Sequence, residues 1–428
     1  MFILDGFRNS RFWIWSLRGG MAIIEQGIFS GSNFILNVLL ARWLSPSDYG
    51  VFALGFAVYL FVSGFHNAMI LEPMSIFAAS KYPDRLDVYF SSQFAFHFIV
   101  TAILGILVII VSFALNYWQF GEFLFSQALL GVGMFLPMTL LMWIVRRSYY
   151  LLKRPSSALF ATVVYSVCLL AGAFLLQSHV KSLFWWFALM GIASFVGSLA
   201  MLFDRIGRLD FGRLPEWKPI LMDQWFFGRW IALATVFYSI GSQIQIFLAA
   251  SLLGFEAAGA FRALQNLLLP MVQILTAIGT LSLSSLTFKF GKGDYKGMSQ
   301  KSLQVAGVLI VIALVYELIL WQESEWIVAL LYNGKYSEFT WLIPLVGLVP
   351  LIQALQIRYS LVLRALQEPK FYLADKLFAA VCGGVTAYFF IVNWGISGAI
   401  INLVLIDGIA LAVYWWLFRR WFVRYLID

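Results

Sequence analysis

The run LFAAVCGGVTAYFFIVNWGISGAIINLVLI, Leu377–Ile406, contains no Asp, Glu, Lys or Arg. A helix needs roughly 20 apolar residues to cross the hydrocarbon core of a bilayer. This run therefore holds most of one span and the start of the next, placed at 371–392 and 396–418, with Asn393–Gly395 between them. Four other stretches repeat the pattern: Phe123–Val145, Pro155–Val180, Ser182–Phe203 and Trp230–Phe255 are also free of charge. In lipid every backbone polar group must be satisfied within the segment, so such runs read as helices. Across all 428 residues the chain is 62% hydrophobic and 12% charged. That is too little charge to cover a water-soluble surface.

Extending outward gives an all-α polytopic membrane protein of about twelve spans. The first six lie near 21–44, 51–78, 88–115, 124–145, 157–177 and 183–203. The second six lie near 230–253, 259–288, 302–321, 339–363, 371–392 and 396–418. Phe12–Trp15 reads as an interfacial segment and 322–338 as a loop with one interfacial turn. With both termini in the cytoplasm, the outer side receives only Arg42, Lys181, Arg262 and Lys335 of the 29 Lys and Arg. Such a bias fixes orientation in bacterial inner (plasma) membrane proteins. The net charge of +8 thus reports topology and contact with the lipid bilayer, not a nucleic-acid partner.

The two halves echo each other. Leu44–Phe52 (LSPSDYGVF) aligns with Leu253–Phe261 (LGFEAAGAF), and both stretches form the outer turn after the first span of their half. Lys153-Arg154-Pro155 and Glu368-Pro369-Lys370 each follow a fourth span. Six spans per half is even, so the repeats are parallel: two six-helix bundles, 1–203 and 230–428, joined by a cytoplasmic connector at 204–229. A cleft between two bundles suits alternating access.

No enzyme motif is present. His66, His97 and His179 have no metal-ligand spacing, no glycine-rich phosphate loop occurs, and no metal or cofactor is implied. The candidates for chemistry are polar groups inside spans, which are costly there unless they face a cavity or a partner. Asp407, midway along the last span, is a candidate ion-coupling site or part of a structural network with Asn402 or a neighbouring helix. Glu72, beside Pro73, is a second candidate, because the proline frees the carbonyl of Met69 and kinks the helix. Glu25 is a third. Arg42 and Arg262 break the charge rule near the outer surface; they suit phosphate, or else pair with Asp48 or Glu256. Asn33, Asn37, Gln243 and Gln245, with His66 and Asn67, either line a substrate pathway or join helices.

Ala41–Ala53 (ARWLSPSDYGVFA) resembles the A-R-x-L-[GS]-P-x-[DE]-[YF]-G stretch of bacterial polysaccharide flippases. Leu331–Tyr336 (LYNGKY) and Leu363–Lys370 (LRALQEPK) are similar to later segments of that family, which belongs to the multidrug/oligosaccharidyl-lipid/polysaccharide exporter superfamily. The resemblance implies two six-helix bundles around a central cavity. It also implies translocation of an undecaprenyl-pyrophosphate-linked oligosaccharide, with a polysaccharide polymerase and other assembly proteins open as partners. A cation-coupled multidrug or toxin exporter of the same superfamily is the alternative. A membrane-embedded polymerase or ligase is the rival from another class, and the short outer loops speak against it.

Overall fold

The computed structural model describes residues 11–118, 123–179, 182–205, 216–365 and 369–422. All regular structure among them is helical. The first half contains α1 (Arg11–Trp43), α2 (Pro46–His66), α3 (Glu72–Ser80), α4 (Leu86–Tyr117), α5 (Phe123–Leu151), α6 (Pro155–Leu176) and α7 (Phe184–Arg205). The second contains α8 (Trp217–Leu253), α9 (Phe255–Asn266), α10 (Leu269–Gly291), α11 (Tyr295–Gln322), α12 (Ser324–Tyr332), α13 (Ile343–Ala365) and α14 (Pro369–Leu417).

Ten of the described helices or helix pairs are long and apolar enough to span a membrane, and α7 carries a shorter apolar stretch, Phe184–Leu199. The longest helix, α14, is two helices merged across a kink at Gly395, whose backbone (φ 58°, ψ −137°) is not helical. Only glycine adopts such a conformation cheaply. The charge-free run Leu377–Ile406 therefore breaks where two spans were expected to meet, and each of the twelve expected spans has a helix. On α4, Ile99, Ile103, Ile106 and Ile110 are all more than half exposed. An apolar stripe at that helical spacing faces lipid. The chain is a multi-pass membrane protein.

Two local readings change. The proline effect at Glu72-Pro73 takes the form of a π-turn, Asn67–Leu71, in which the Glu72 N–H reaches the Asn67 carbonyl. Widening one turn relieves the clash between a proline ring and the preceding turn. The 322–338 segment is a nine-residue helix, α12, stopped by left-handed Asn333 (φ 56°, ψ 38°). Asparagine at that position is a common helix stop. Phe12–Trp15 lies within α1 as continuous helix. In addition, α8 already begins at Trp217, within the stretch expected as connector; 206–215 lie outside the described residues.

By contacts the chain forms two compact units. Unit 1 is Met1–Leu36 with Gly55–Val236, and unit 2 is Asn37–Leu54 with Phe237–Asp428. The boundaries fall inside α1, α2 and α8, so each of these helices contributes to both units. Tyr89, Phe90, Leu140, Ile144 and Trp186 are buried in unit 1. Met271, Leu275, Leu309, Ala313 and Ala354 form a core cluster of unit 2.

Candidate functional site

Unit 2 holds a cavity of about 500 Å³ between α8, α10, α13 and the last part of α14. One face of α13 supplies Gln353, Gln356, Ser360 and Arg364, whose spacing of three or four residues places them in a single stripe. Asp407 lies opposite on α14. Gln353 donates to its carboxylate at 3.3 Å. Gln356 donates to the Asp407 backbone carbonyl at 2.6 Å and to the carboxylate at 3.5 Å. From α8 comes Gln245, 1% exposed, whose side-chain oxygen has no hydrogen-bond partner among the described residues. A buried acceptor without a donor costs about 1–3 kcal/mol and calls for an explanation. The lining contains two tyrosines but no Phe, Trp or Met among the described residues, in a chain with 41 Phe, 17 Trp and 12 Met. Asn402 does not join Asp407 in a network. It bonds Thr386 at 2.7 Å and the Gly383 carbonyl at 3.3 Å.

The carboxylate of unit 1, Glu25, has a different setting. Arg146 from α5 meets both its oxygens, at 2.5 and 2.8 Å, in the planar fork that arginine favours. Tyr150 and Thr162 also donate to it. Arg146 bonds Gln26 at 2.8 Å and lies 3.9 Å from the centre of the Phe29 ring. Asn33, two turns along α1, accepts from Tyr165 at 2.9 Å and donates to the Phe29 carbonyl. These groups tie α1 to α5 and α6.

The other expected residues of unit 1 are spread along α2 and the π-turn. His66 is fully buried, Asn67 is half-buried and Glu72 is exposed. Asn67 reaches the Glu72 carboxylate at 3.4 Å. The carbonyl of Met69, freed by Pro73 as expected, accepts from Gln224 of α8 at 3.0 Å, as does that of Ile70.

Arg42 and Arg262 both lie at the cation-poor end of the spans within unit 2, but in separate places. Arg42 donates to the Leu330 carbonyl near the end of α12 at 2.8 Å. Lys335 returns the contact, donating to the carbonyls of Arg42 and Leu44 at 2.7 and 2.6 Å. Arg42 thus caps the C-terminus of α12 and Lys335 that of α1, where partial negative charge collects. Loss of hydration holds the Lys335 ammonium below the ordinary lysine value. Arg262 is buried on α9 within reach of Gln265, 3.5 Å away. Beside it Asn266 donates to the Tyr49 hydroxyl at 2.8 Å, and the Tyr332 hydroxyl donates to the Ala263 carbonyl at 2.8 Å. Asn37 is buried in unit 2 and Gln243 half-buried on α8.

The same end displays the internal repeat. A Cβ on Gly50 would run into the carbonyl of Phe255, and one on Gly259 into the carbonyl of Pro46. In the alignment of the two halves Gly50 matches Gly259 and Pro46 matches Phe255, so the contact is reciprocal. Only residues without a side chain let α2 and α9 approach this closely.

Sequence reading passed over three members of these groups. By charge distribution Arg146 is one of the inner-side cations and nothing more, and Gln353 and Gln356 are amides with no motif around them. It also missed Glu317 on α11, whose carboxylate packs at Gly347 with one oxygen lacking a partner among the described residues.

No protein-family model and no curated protein matches the chain. Solved structures do. An inward-facing multidrug resistance MATE family transporter of the MOP superfamily superposes with a TM-score of 0.77 at 13% identity, over 94% of this chain and 96% of that one. An outward-facing structure described in the same terms gives 0.66 at 14% identity, over 96% of each chain. A MOP superfamily transporter from Pyrococcus furiosus, described as having a binding pocket of reversed polarity, gives 0.67 at 12%, over 96% and 95%. At these identities the likeness is one of fold: the chain has the fold of the MATE transporters.

Proposed function

We propose that the chain is a cation-coupled secondary exporter working by alternating access in the bacterial inner membrane, with both termini cytoplasmic. The observation that carries this reading is the unit 2 cavity, whose lining includes both the Asp407 carboxylate and Gln245, a buried amide whose oxygen has no donor among the described residues. An intramembrane carboxylate facing a cavity is the usual mark of an ion pathway. A proton would be taken up on the carboxylate itself. A metal cation would use the oxygens of Asp407 and Gln245, the hard ligands such ions prefer. Either ion alters the charge balance at Asp407 and so changes which arrangement of α13 and α14 is most stable. The fold shared with multidrug resistance transporters favours an organic solute as cargo.

A second cargo has its own support. Among aliphatic side chains such as Leu275, Val349 and Ile406, the lining carries amides, hydroxyls and, toward the end of α13, Arg364, groups that can hydrogen-bond a polyhydroxylated molecule. Arginine at that end suits a phosphate. The likeness of Ala41–Ala53 to polysaccharide flippases points the same way, toward a lipid-linked oligosaccharide.

A clean deletion strain lacking paralogues separates the two. The exporter reading expects sensitivity to organic toxicants with intact surface polysaccharide. The flippase reading expects lipid-linked oligosaccharide trapped inside and surface polysaccharide lost. A strain with neither defect would overturn both.

A further inference from the structure

Outside the cavity and the Glu25 network, one pair of buried titratable groups has no role in transport as described so far. His66, at the end of α2, and His97, on α4, are both fully buried in unit 1. Nε2 of His66 lies 2.9 Å from Nδ1 of His97, with the rings nearly perpendicular. Nε2 of His97 lies 3.2 Å from the Pro137 carbonyl in α5. The pair therefore bridges three spans at two backbone irregularities, the π-turn that starts at Asn67 and the proline within α5.

The partners dictate the tautomers. A carbonyl oxygen only accepts, so His97 carries its proton on Nε2. Nδ1 of neutral His97 is then bare and accepts from Nε2–H of His66. That leaves Nδ1 of His66 bare as well, and this atom is buried with no hydrogen-bond partner among the described residues. The chain of bonds thus runs in one direction and ends on a single open lone pair.

We propose that the His66–His97 pair is a proton-binding site of unit 1, which takes one proton at Nδ1 of His66. The proton adds to the bare lone pair and no bond breaks. The bridging N–H···N bond then becomes charge-assisted, and so tighter. A second proton is opposed by the first charge a few ångströms away, so the two rings titrate as one unit.

The charged and titratable groups around the pair are engaged elsewhere. On its own span Glu72 accepts from Asn67. From α5, Arg146 is held by Glu25 and Arg147 is set against Glu72. From α8, Asp223 is held by Lys81 and Tyr82. Tyr89, on α4 with His97, donates to Gln224. Among the described residues none of these is bonded to either ring. The site is separate from Asp407 and does not depend on which cargo is carried.

The chain has three histidines, and His179 is exposed, so it serves as an internal reference. The test is a pH titration of the full-length protein in nanodiscs, labelled with 15N in histidine alone. The His66 and His97 signals should move together in one separate step worth one proton, and His97→Gln should abolish that step. Two results overturn the proposal: both rings silent between about pH 4 and pH 9, or two independent one-proton titrations. If His97→Gln fails to fold, the wild-type spectra alone distinguish these outcomes.

Discussion

Glu25 and Asp407 are both carboxylates inside membrane-spanning helices, one in each compact unit, and their surroundings differ. Glu25 is fully buried and meets a guanidinium, a phenol and a hydroxyl. Its counter-charge is built into the chain. Asp407 is half-buried, accepts from two amides and faces a cavity. A cation can reach it from that cavity. A buried carboxylate therefore says little until the origin of its compensating charge is known. The first arrangement holds helices together, whereas the second can bind and release.

Substitutions at the two sites should leave opposite signatures. The largest effect is expected from Arg146→Leu, which strands Glu25 without its cation and should lower unfolding stability by about 3–5 kcal/mol. Replacing both partners, Glu25→Leu with Arg146→Met, should recover most of that loss. Thermal unfolding of the detergent-purified chain reads both, and an Arg146→Leu protein as stable as wild type would break the comparison. Gly259→Val comes next. Its side chain must displace the Pro46 carbonyl, at about 1–3 kcal/mol by the usual scale of overpacking, and Gly50→Val should match it because the contact is reciprocal.

At the second carboxylate, Asp407→Asn should change stability by less than about 1 kcal/mol yet abolish cation-driven transport in proteoliposomes. Gln245→Met sharpens this further. It removes an acceptor that has no donor among the described residues, so unfolding should be unchanged or slightly harder, while cation affinity drops by about tenfold. The smallest effect is expected from Lys335→Met, which uncaps one helix end for about 0.3–1 kcal/mol.

The span pattern was legible in the sequence because a bilayer imposes a length and a composition on every crossing helix. The Leu377–Ile406 run even contained its own break, at Gly395. The match of LSPSDYGVF with LGFEAAGAF was also legible, though not its consequence, that Gly50 and Gly259 press on each other's partner strand of backbone. Pairings across helices were hidden. Arg146 and Glu25 are 121 positions apart, and no local periodicity links them, so Arg146 read as one more anchor in a basic cluster. Arg42 stood out as an exception to the charge rule, and its partner in the structure is a carbonyl of α12, 288 positions away. Of the cavity, Asp407 and Gln245 could be named from the sequence. Gln353 and Gln356 could not, because an amide inside a span gives no sign of which side chain it will face.

The most direct test of this account is cation binding by the purified full-length protein. Proton release and sodium binding would be measured for the wild type beside Asp407→Asn, with folding checked by thermal unfolding. The account predicts that the folded variant loses one bound cation. A folded Asp407→Asn protein that binds proton and sodium as the wild type does would contradict it.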